Sequence, residues 1–180
     1  ILKEEIDRVS RLVTEFAGGT PNTQLAVTEV TTVIKDLVRL FTESKFLPTS
    51  VKIIATSPAS STEVVGSSDM LKQILLNLLK NAMEAVPGGG LIEVINKGTV
   101  MLEGQAFAEI SVKDSGPGLD PKVQARLFSP VDSLKPGANR GIGLNIVHRL
   151  VDKLGGRIRC QSTPAGTTFT LHLPTPKAGP

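Results

Sequence analysis

The sequence predicts an α+β fold of two layers, a sandwich in which helices cover one face of a mixed, mostly antiparallel sheet. The order of the elements carries this prediction, because helical segments come first, strand-like runs follow, and a helix and a strand pair close the chain. The composition supports it, since 180 residues with 40% hydrophobic and 21% charged residues suit one domain with its own core.

Helices dominate the first half of the chain. Apolar residues recur at helical spacing up to Phe16, where a glycine pair ends the pattern. A second helix is expected over 27–41, a strand over 51–56 and a loop over 57–68. The strongest helical pattern runs from Met70 to Val86 and stops at "PGGG", with Ser68 or Asp69 as its predicted N-cap.

Strands dominate the second half. The expected elements are strands over 91–100 and 106–114, a helical turn at 121–128, a loop over 129–139, a helix over 141–156, and strands over 157–163 and 167–174. The closing strands are joined by a turn around Pro164 and Gly166, which predicts a hairpin.

Charge and composition exclude several classes of function. A net charge of +3, with no Trp, no Tyr and six Phe, argues against a nucleic-acid binder, because few rings could stack on bases. Cys160 is the only cysteine, so no internal disulfide can form and a reducing, cytoplasmic compartment is expected. No apolar run reaches the length of a membrane span, and the missing initial Met predicts an excised fragment.

The helix over 70–86 carries a polar face opposite its apolar one. Asn77, Asn81 and Glu84 lie at i, i+4 and i+7, so their side chains share that face. Such a face is commonly just solvated, but Asn is a poor helix former, and two of them four residues apart require a reason. An amide oxygen is a suitable ligand for Mg²⁺, which takes few protein ligands.

The segment "SVKDSGPGLD" places a carboxylate at the end of a strand, next to a loop of small residues. Asp114 can only accept hydrogen bonds when ionised, so it would select a ligand with a donor, such as the exocyclic amine of adenine. Gly116 and Gly118 would let the backbone approach a flat ring closely. The alternative interpretation is a tight turn after a strand.

The segment "NRGIGLNIVHRL" places Gly141 and Gly143 at the predicted start of a helix. Free N–H groups and the positive end of the helix dipole make such a start suitable for phosphate. The pattern is neither a Rossmann fingerprint, because the third glycine is missing, nor a Walker A loop, because no G-K-[ST] follows. Alone, it is also typical of an ordinary helix start.

Together, these motifs resemble the ATP-binding catalytic domain of sensor histidine kinases. The resemblance rests on "LKQILLNLLKNAMEA", "DSGPG", "LFSP", "GIGLNIVHRLVDKLGGRI" and "GTTFTLHLP", in this order, and covers roughly residues 25–175. That family shares the Bergerat-type ATP-binding fold with DNA gyrase, the Hsp90 chaperone and mismatch-repair ATPases. Residues 1–20 resemble the end of the family's dimerisation helix, 21–175 the catalytic domain, and 176–180 would be a disordered tail.

The resemblance implies a role for each motif at the phosphate end of the site. Asn81 would ligand Mg²⁺, and Asn77 and Lys80 would lie beside the phosphates of ATP as catalytic residues. The start of the following helix would meet the phosphates through Gly141, Gly143 and Leu144. Two departures stand out, since Asn139 and Arg140 replace the usual Gly-Thr and the lid lacks a Thr-Thr-Lys run.

The resemblance also assigns the base end of the site. Asp114 would bind the adenine amine, and Gly116 and Gly118 would shape the base pocket. Thr167 would support the adenine through water, and Phe128 would anchor a mobile lid over 129–140.

Position 77 distinguishes transfer of phosphate from hydrolysis. Water-activating members of the superfamily carry a glutamate one helical turn before the Mg²⁺ ligand, whereas Asn77 cannot take up a proton at neutral pH. Transfer to a histidine is therefore expected. A serine-directed kinase of the anti-sigma-factor type and a degenerate nucleotide-binding scaffold are the alternatives.

The expected partners follow from the resemblance. They are the phosphoacceptor-histidine dimerisation domain of a homodimeric parent protein and the receiver domain of a response regulator, without nucleic acid and without membrane contact in this fragment. Neither His148 nor His172 is followed by the acidic residue typical of the acceptor. The acceptor is therefore expected upstream of Ile1.

Overall fold

The computed structural model describes residues 26–44, 47–127 and 139–177, and at 139–142 it describes the helical backbone alone. The elements follow in the order β1 (Val27–Glu29), α1 (Val30–Glu43), β2 (Val51–Thr56), β3 (Glu63–Val65), α2 (Ser68–Ala85), β4 (Gly90–Leu102), β5 (Gln105–Asp114), α3 (Pro121–Gln124), α4 (Asn139–Lys153), β6 (Arg157–Thr163) and β7 (Gly166–Pro174). The predicted N-terminal helix, Phe128, most of the lid and the last residues of the tail lie outside the described residues.

The main sheet has five strands in the order β2-β4-β5-β7-β6. β2 runs parallel to β4, whereas the other neighbouring pairs are antiparallel. Helices α1, α2 and α4 contribute apolar side chains to one core with the strands of this sheet. The predicted two-layer sandwich with a mixed, mostly antiparallel sheet is therefore confirmed.

Two predictions near the start of the domain are wrong. The helix predicted over 27–41 begins only at Val30, because 27–29 form β1 and pair antiparallel with β3 in a second, two-stranded sheet. β3 lies inside 57–68, the stretch predicted as loop. The pairing joins residues more than thirty positions apart, so no local pattern of either segment could reveal it.

Glu29 marks the boundary between β1 and α1 because its side chain caps the helix. The carboxylate accepts hydrogen bonds from the backbone N–H of Thr31 at 3.0 Å and of Thr32 at 2.6 Å. Burial works to raise the pKa of Glu29, but the hydrogen bond from the Thr32 hydroxyl at 2.7 Å and the two backbone hydrogen bonds outweigh it and lower the pKa to about 2. The cap therefore stabilises the fold at neutral pH and weakens only as the pH falls below the ordinary carboxyl range.

Helix α2 is the central helix of the domain. Its N-cap is Ser67, whose Oγ accepts from the N–H of Met70 at 3.3 Å, so the predicted caps Ser68 and Asp69 are wrong and lie in the first turn. Five residues of its apolar face are buried, namely Leu71, Ile74, Leu75, Leu78 and Ala82, whereas Ala85 is only half-buried. Three further residues are buried as well because α2 contacts α1, α4 and the sheet; they are Leu76, Leu79 and Met83.

The segments around the predicted lid agree with expectation in part. The predicted helical turn that starts at Pro121 is present as α3, which covers Pro121–Gln124 and is capped by Asp120. Helix α4 begins at Asn139, so Asn139 and Arg140 belong to the helix and not to the lid. None of the helices in the described ranges is long and apolar enough to cross a membrane.

Candidate nucleotide site

Asp114 lies at the end of β5, in the middle of the sheet. Its register partners are Ile92 on β4 and Thr167 on β7, and its side chain is buried. Oδ1 accepts hydrogen bonds from the N–H of Gly116 at 2.9 Å and of Thr167 at 3.3 Å. Within the described residues Oδ2 receives no hydrogen bond, so one oxygen of a fixed carboxylate remains for a ligand's donor.

The electrostatics of Asp114 favour a ligand that donates. Burial raises the pKa of this carboxyl above its ordinary value, and the hydrogen bonds from Gly116 and Thr167 offset only part of that rise. A donor placed at Oδ2 would stabilise the ionised form and relieve the desolvation. The site is therefore suited to a donor group such as an aromatic amine.

The loop after β5 approaches its neighbours so closely that two positions require glycine. A Cβ at Gly116 would lie 2.7 Å from the carbonyl oxygen of Ala85 and 2.9 Å from Oδ1 of Asp114. Gly118 has a φ of +80°, and a Cβ there would collide with the carbonyl oxygen of Thr163. The loop is thus held between the end of α2 and the end of β6.

Helix α2 joins this loop to the start of α4. A Cβ at Gly143 would lie 3.0 Å from Oδ1 of Asn77, so α4 crosses α2 closely at that point. Two turns further along α2, the carbonyl of Ala85 lies against Gly116. The eight residues from Asn77 to Ala85 span about 12 Å along the helix. Asn81 lies between these two contacts, so the predicted phosphate end and base end lie on one continuous surface.

The two asparagines of α2 are held differently. Nδ2 of Asn77 donates to the carbonyl of Gln73 at 2.8 Å, which fixes the amide. Nδ2 of Asn81 is buried and has no hydrogen-bond partner in the described part of the chain. Because no described group holds the Asn81 amide, it can turn its oxygen towards a bound cation without breaking a bond to the protein.

The remaining predicted residues also lie along α2 and α4. Lys80 precedes Asn81 on α2 and is half-buried. Gly141 and Gly143 lie within the first turns of α4, not before its start. The side chain of Leu144 is buried in the core, so a contact of this residue with nucleotide stays a prediction. The structure brings the described candidates into one region, whereas Phe128 lies outside the described residues.

Sequence reasoning missed one residue of this region. Ser162, at the end of β6, accepts a hydrogen bond from Leu119 N–H at 2.7 Å, and only the pairing of β7 with β5 shows how close β6 lies to the site. Cys160, on the same strand, is half-buried, and burial followed by the charge of Asp114 raises its pKa to about 11. Its thiol is thus neutral at physiological pH and packs as a small apolar group.

Comparison with known proteins assigns the arrangement. A family model described as histidine kinase-, DNA gyrase B- and HSP90-like ATPase matches residues 66–177. The chain belongs to this family. The matched range runs from the cap of α2 to the end of β7 and includes every described residue of the site. ATP is therefore the nucleotide that this domain binds.

The relatives within the family are sensor kinases. The sensory histidine kinase/phosphatase NtrB of Escherichia coli O157:H7 is 35% identical over 185 residues, which cover 98% of this chain and 52% of NtrB. Sensor histidine kinase ZraS of Escherichia coli strain K12 is 32% identical over 177 residues, which cover 97% of this chain and 37% of ZraS. The chain thus spans about half the length, or less, of these curated relatives.

A solved structure agrees with this assignment. The nucleotide-free catalytic domain of histidine kinase ThkA superposes with a TM-score of 0.70 at 25% identity, covering 85% of this chain and 97% of that domain. The predicted resemblance to the ATP-binding domain of a sensor histidine kinase is confirmed.

Proposed function

We propose that this domain binds Mg²⁺-ATP and transfers the γ-phosphate to a histidine outside this chain. The observation that carries the proposal is the buried carboxylate of Asp114. Two backbone N–H groups fix one of its oxygens, and the other oxygen remains for a ligand. The carboxylate lies at the end of β5, next to a loop whose glycines pack closely against their neighbours. Adenine offers an amine at the position where guanine carries a carbonyl oxygen, which the carboxylate would repel.

The phosphates would lie between α2 and the start of α4. Gly141 and Gly143 place two positions without a side chain in the first turns of α4, and the N–H groups at that helix end attract anions. Asn77 and Lys80 would lie beside the phosphates on α2. The amide of Asn81 fits an oxygen ligand of Mg²⁺, since no described group holds it and it lies between the two ends of the site.

Transfer is favoured over hydrolysis because Asn77 cannot act as a general base at neutral pH. The bond between the γ-phosphorus and the bridging oxygen breaks, ADP leaves with that electron pair, and an imidazole nitrogen of the acceptor bonds to phosphorus. The residues of this chain would accelerate the step by holding the phosphates in place and by shielding their charge. A bound Mg²⁺ would neutralise the charge that develops on the leaving oxygens.

Neither histidine of the chain is placed as an acceptor. His172 is buried on β7, with Nε2 2.7 Å from Oε2 of Glu109. His148 lies on α4, with Nδ1 3.1 Å from Oδ2 of Asp152, one helical turn away. His172 is thus shielded within the sheet, and neither histidine is followed by the acidic residue typical of the acceptor, which supports an acceptor elsewhere in the parent protein.

The partners of the reaction are the phosphoacceptor-histidine dimerisation domain of a homodimeric parent and the receiver domain of a response regulator. NtrB aligns with 98% of this chain, so the likeness extends into the first predicted helix. That extension favours the histidine kinase type over a serine-directed kinase without a dimerisation helix. Because the reaction consumes ATP, we place the domain in the cytoplasm.

Labelling with γ-³²P-ATP tests the proposal. We expect the chain alone to remain unlabelled, and the acceptor-histidine domain of its parent to become labelled when it is added in trans. The label should be acid-labile and base-stable, as a phosphohistidine is. Label on His148 or His172 of the isolated chain, acid-stable label on a serine of the partner, or ATP binding without any transfer would contradict it.

A further inference from the structure

The hydroxyl of Ser162 links the loop after β5 to β7 at the base pocket. We propose that Ser162 is a positioning residue for adenine, which holds the glycine loop after β5 and orients the hydroxyl of Thr167. The inference rests on the proposed function, because it concerns the same nucleotide site. Ser162 lies at the end of β6, next to the turn that leads into β7.

The contacts of Ser162 reach the loop and β7 at the same time. Oγ of Ser162 accepts a hydrogen bond from the N–H of Leu119 at 2.7 Å. The same oxygen lies 3.0 Å from Oγ1 of Thr167, its register partner on β7. The N–H of Thr167 in turn donates to Oδ1 of Asp114. The Ser162 side chain therefore connects Leu119, at the far end of the loop, to Thr167, which is hydrogen-bonded to Asp114.

A hydroxyl is the suitable group at this position because it accepts and donates at once. With one lone pair occupied by Leu119 N–H, Ser162 can give its own hydrogen to Thr167. The hydrogen of the Thr167 hydroxyl is then available to a ring nitrogen of adenine or to a water bound to it. Side chains of similar size without a hydroxyl, such as Ala, cannot fix this orientation.

The loop is thus attached at both ends by side chains. Asp114 holds Gly116 at the near end, and Ser162 holds Leu119 at the far end. Between them, a Cβ at Gly118 would lie 3.0 Å from Oγ of Ser162, so the loop lies directly against this residue. Loss of the hydrogen bond between Ser162 and Leu119 would make the loop more mobile while leaving the hydrophobic core intact.

Replacing Ser162 with Ala tests the inference, and the chain offers a matched control. Oγ of Ser111 lies 3.2 Å from Oγ1 of Thr170, which is the same cross-strand hydroxyl pair on β5 and β7. Ser111 and Thr170 alternate with Asp114 and Thr167 along their strands, so they lie on the opposite face of the sheet. Ser111→Ala should therefore remove a similar contact without touching the site.

We expect Ser162→Ala to weaken the binding of ATP and of ADP by about tenfold each, and Ser111→Ala to leave both affinities unchanged. The ratio of affinities with Mg²⁺ and with EDTA should be unchanged in Ser162→Ala, because Ser162 acts at the base. The Leu119 amide should also exchange its hydrogen faster in Ser162→Ala, which NMR measures without any nucleotide.

Two outcomes overturn the inference, and only the second also overturns the proposed function. Wild-type affinity and wild-type exchange at Leu119 in Ser162→Ala would show that the residue positions nothing, while the proposed function would stand. No binding of ATP to the wild-type protein would overturn the proposed function and this inference with it.

Discussion

Asp114→Asn is expected to abolish most binding of ATP while the protein without nucleotide stays folded. The carboxamide has the same shape, but it can present a donor to the amine of adenine, and losing such a hydrogen bond costs on the order of 1–3 kcal/mol. Isothermal titration calorimetry, with ATP concentrations that would saturate the wild type, measures the loss.

The free Asp114→Asn protein should be at least as stable as the wild type at pH 7. Burial raises the pKa of Asp114 in the folded state, so the stability that this group contributes is greatest at low pH and is lost as the pH rises through the folded-state pKa. A neutral amide removes that penalty at neutral pH. Thermal unfolding of the two proteins without nucleotide separates an effect on binding from an effect on folding.

Asp120→Asn is the matched control for this experiment. Asp120 belongs to the same loop, but its side chain caps α3 by accepting from the N–H of Lys122 at 2.7 Å. We expect this variant to bind ATP as the wild type does. A folded Asp114→Asn protein with wild-type affinity for ATP would contradict the assignment of the base pocket.

Asn81→Ala is expected to weaken ATP binding far more in the presence of Mg²⁺ than in EDTA. The change removes the one amide of α2 whose nitrogen is buried without a described partner, and with it the oxygen that would ligand the cation. Loss of a direct ligand should lower affinity for Mg²⁺-ATP by more than about tenfold, since even partners of metal ligands contribute that much.

Gln73→Ala provides the control for Asn81→Ala. The side chain of Gln73 is exposed on the same helix, and only its backbone carbonyl contacts the site, through Asn77. Its affinity for ATP should be unchanged with or without Mg²⁺. Equal losses for Asn81→Ala under both conditions would show that Asn81 binds no metal.

The elements around the candidate site could be predicted from the sequence because local patterns encode them. Strong helical periodicity identified α2, and alternation identified β5 and β7 as strands. The pairing of β5 with β7, which places Thr167 opposite Asp114, joins segments far apart in the chain and was not predicted. The asparagine spacing on α2 and the glycines after Asp114 are short-range features. Each therefore predicts its geometry without knowledge of the rest of the chain.

The features that the sequence could not reveal depend on contacts between distant segments. β1 and β3 are short, and each is a strand only because it pairs with the other. Burial of Leu76, Leu79 and Met83 follows from helices that cover α2 on several sides, which its own periodicity does not show. Ser162 gains its position only when β7 pairs with β5, which brings the end of β6 next to the loop after β5, since a serine near a turn is otherwise typical of an exposed strand end.

Calorimetric titration of the wild-type protein with ATP and with GTP, each with Mg²⁺ and with EDTA, tests the central claim most directly. The claim is that the Asp114 carboxylate binds the amine of adenine near one end of α2, while Asn81, further along α2, binds Mg²⁺. It predicts binding of ATP that strengthens with Mg²⁺, and no comparable binding of GTP. Equal affinity for ATP and GTP, or no binding of ATP in either condition, would contradict it.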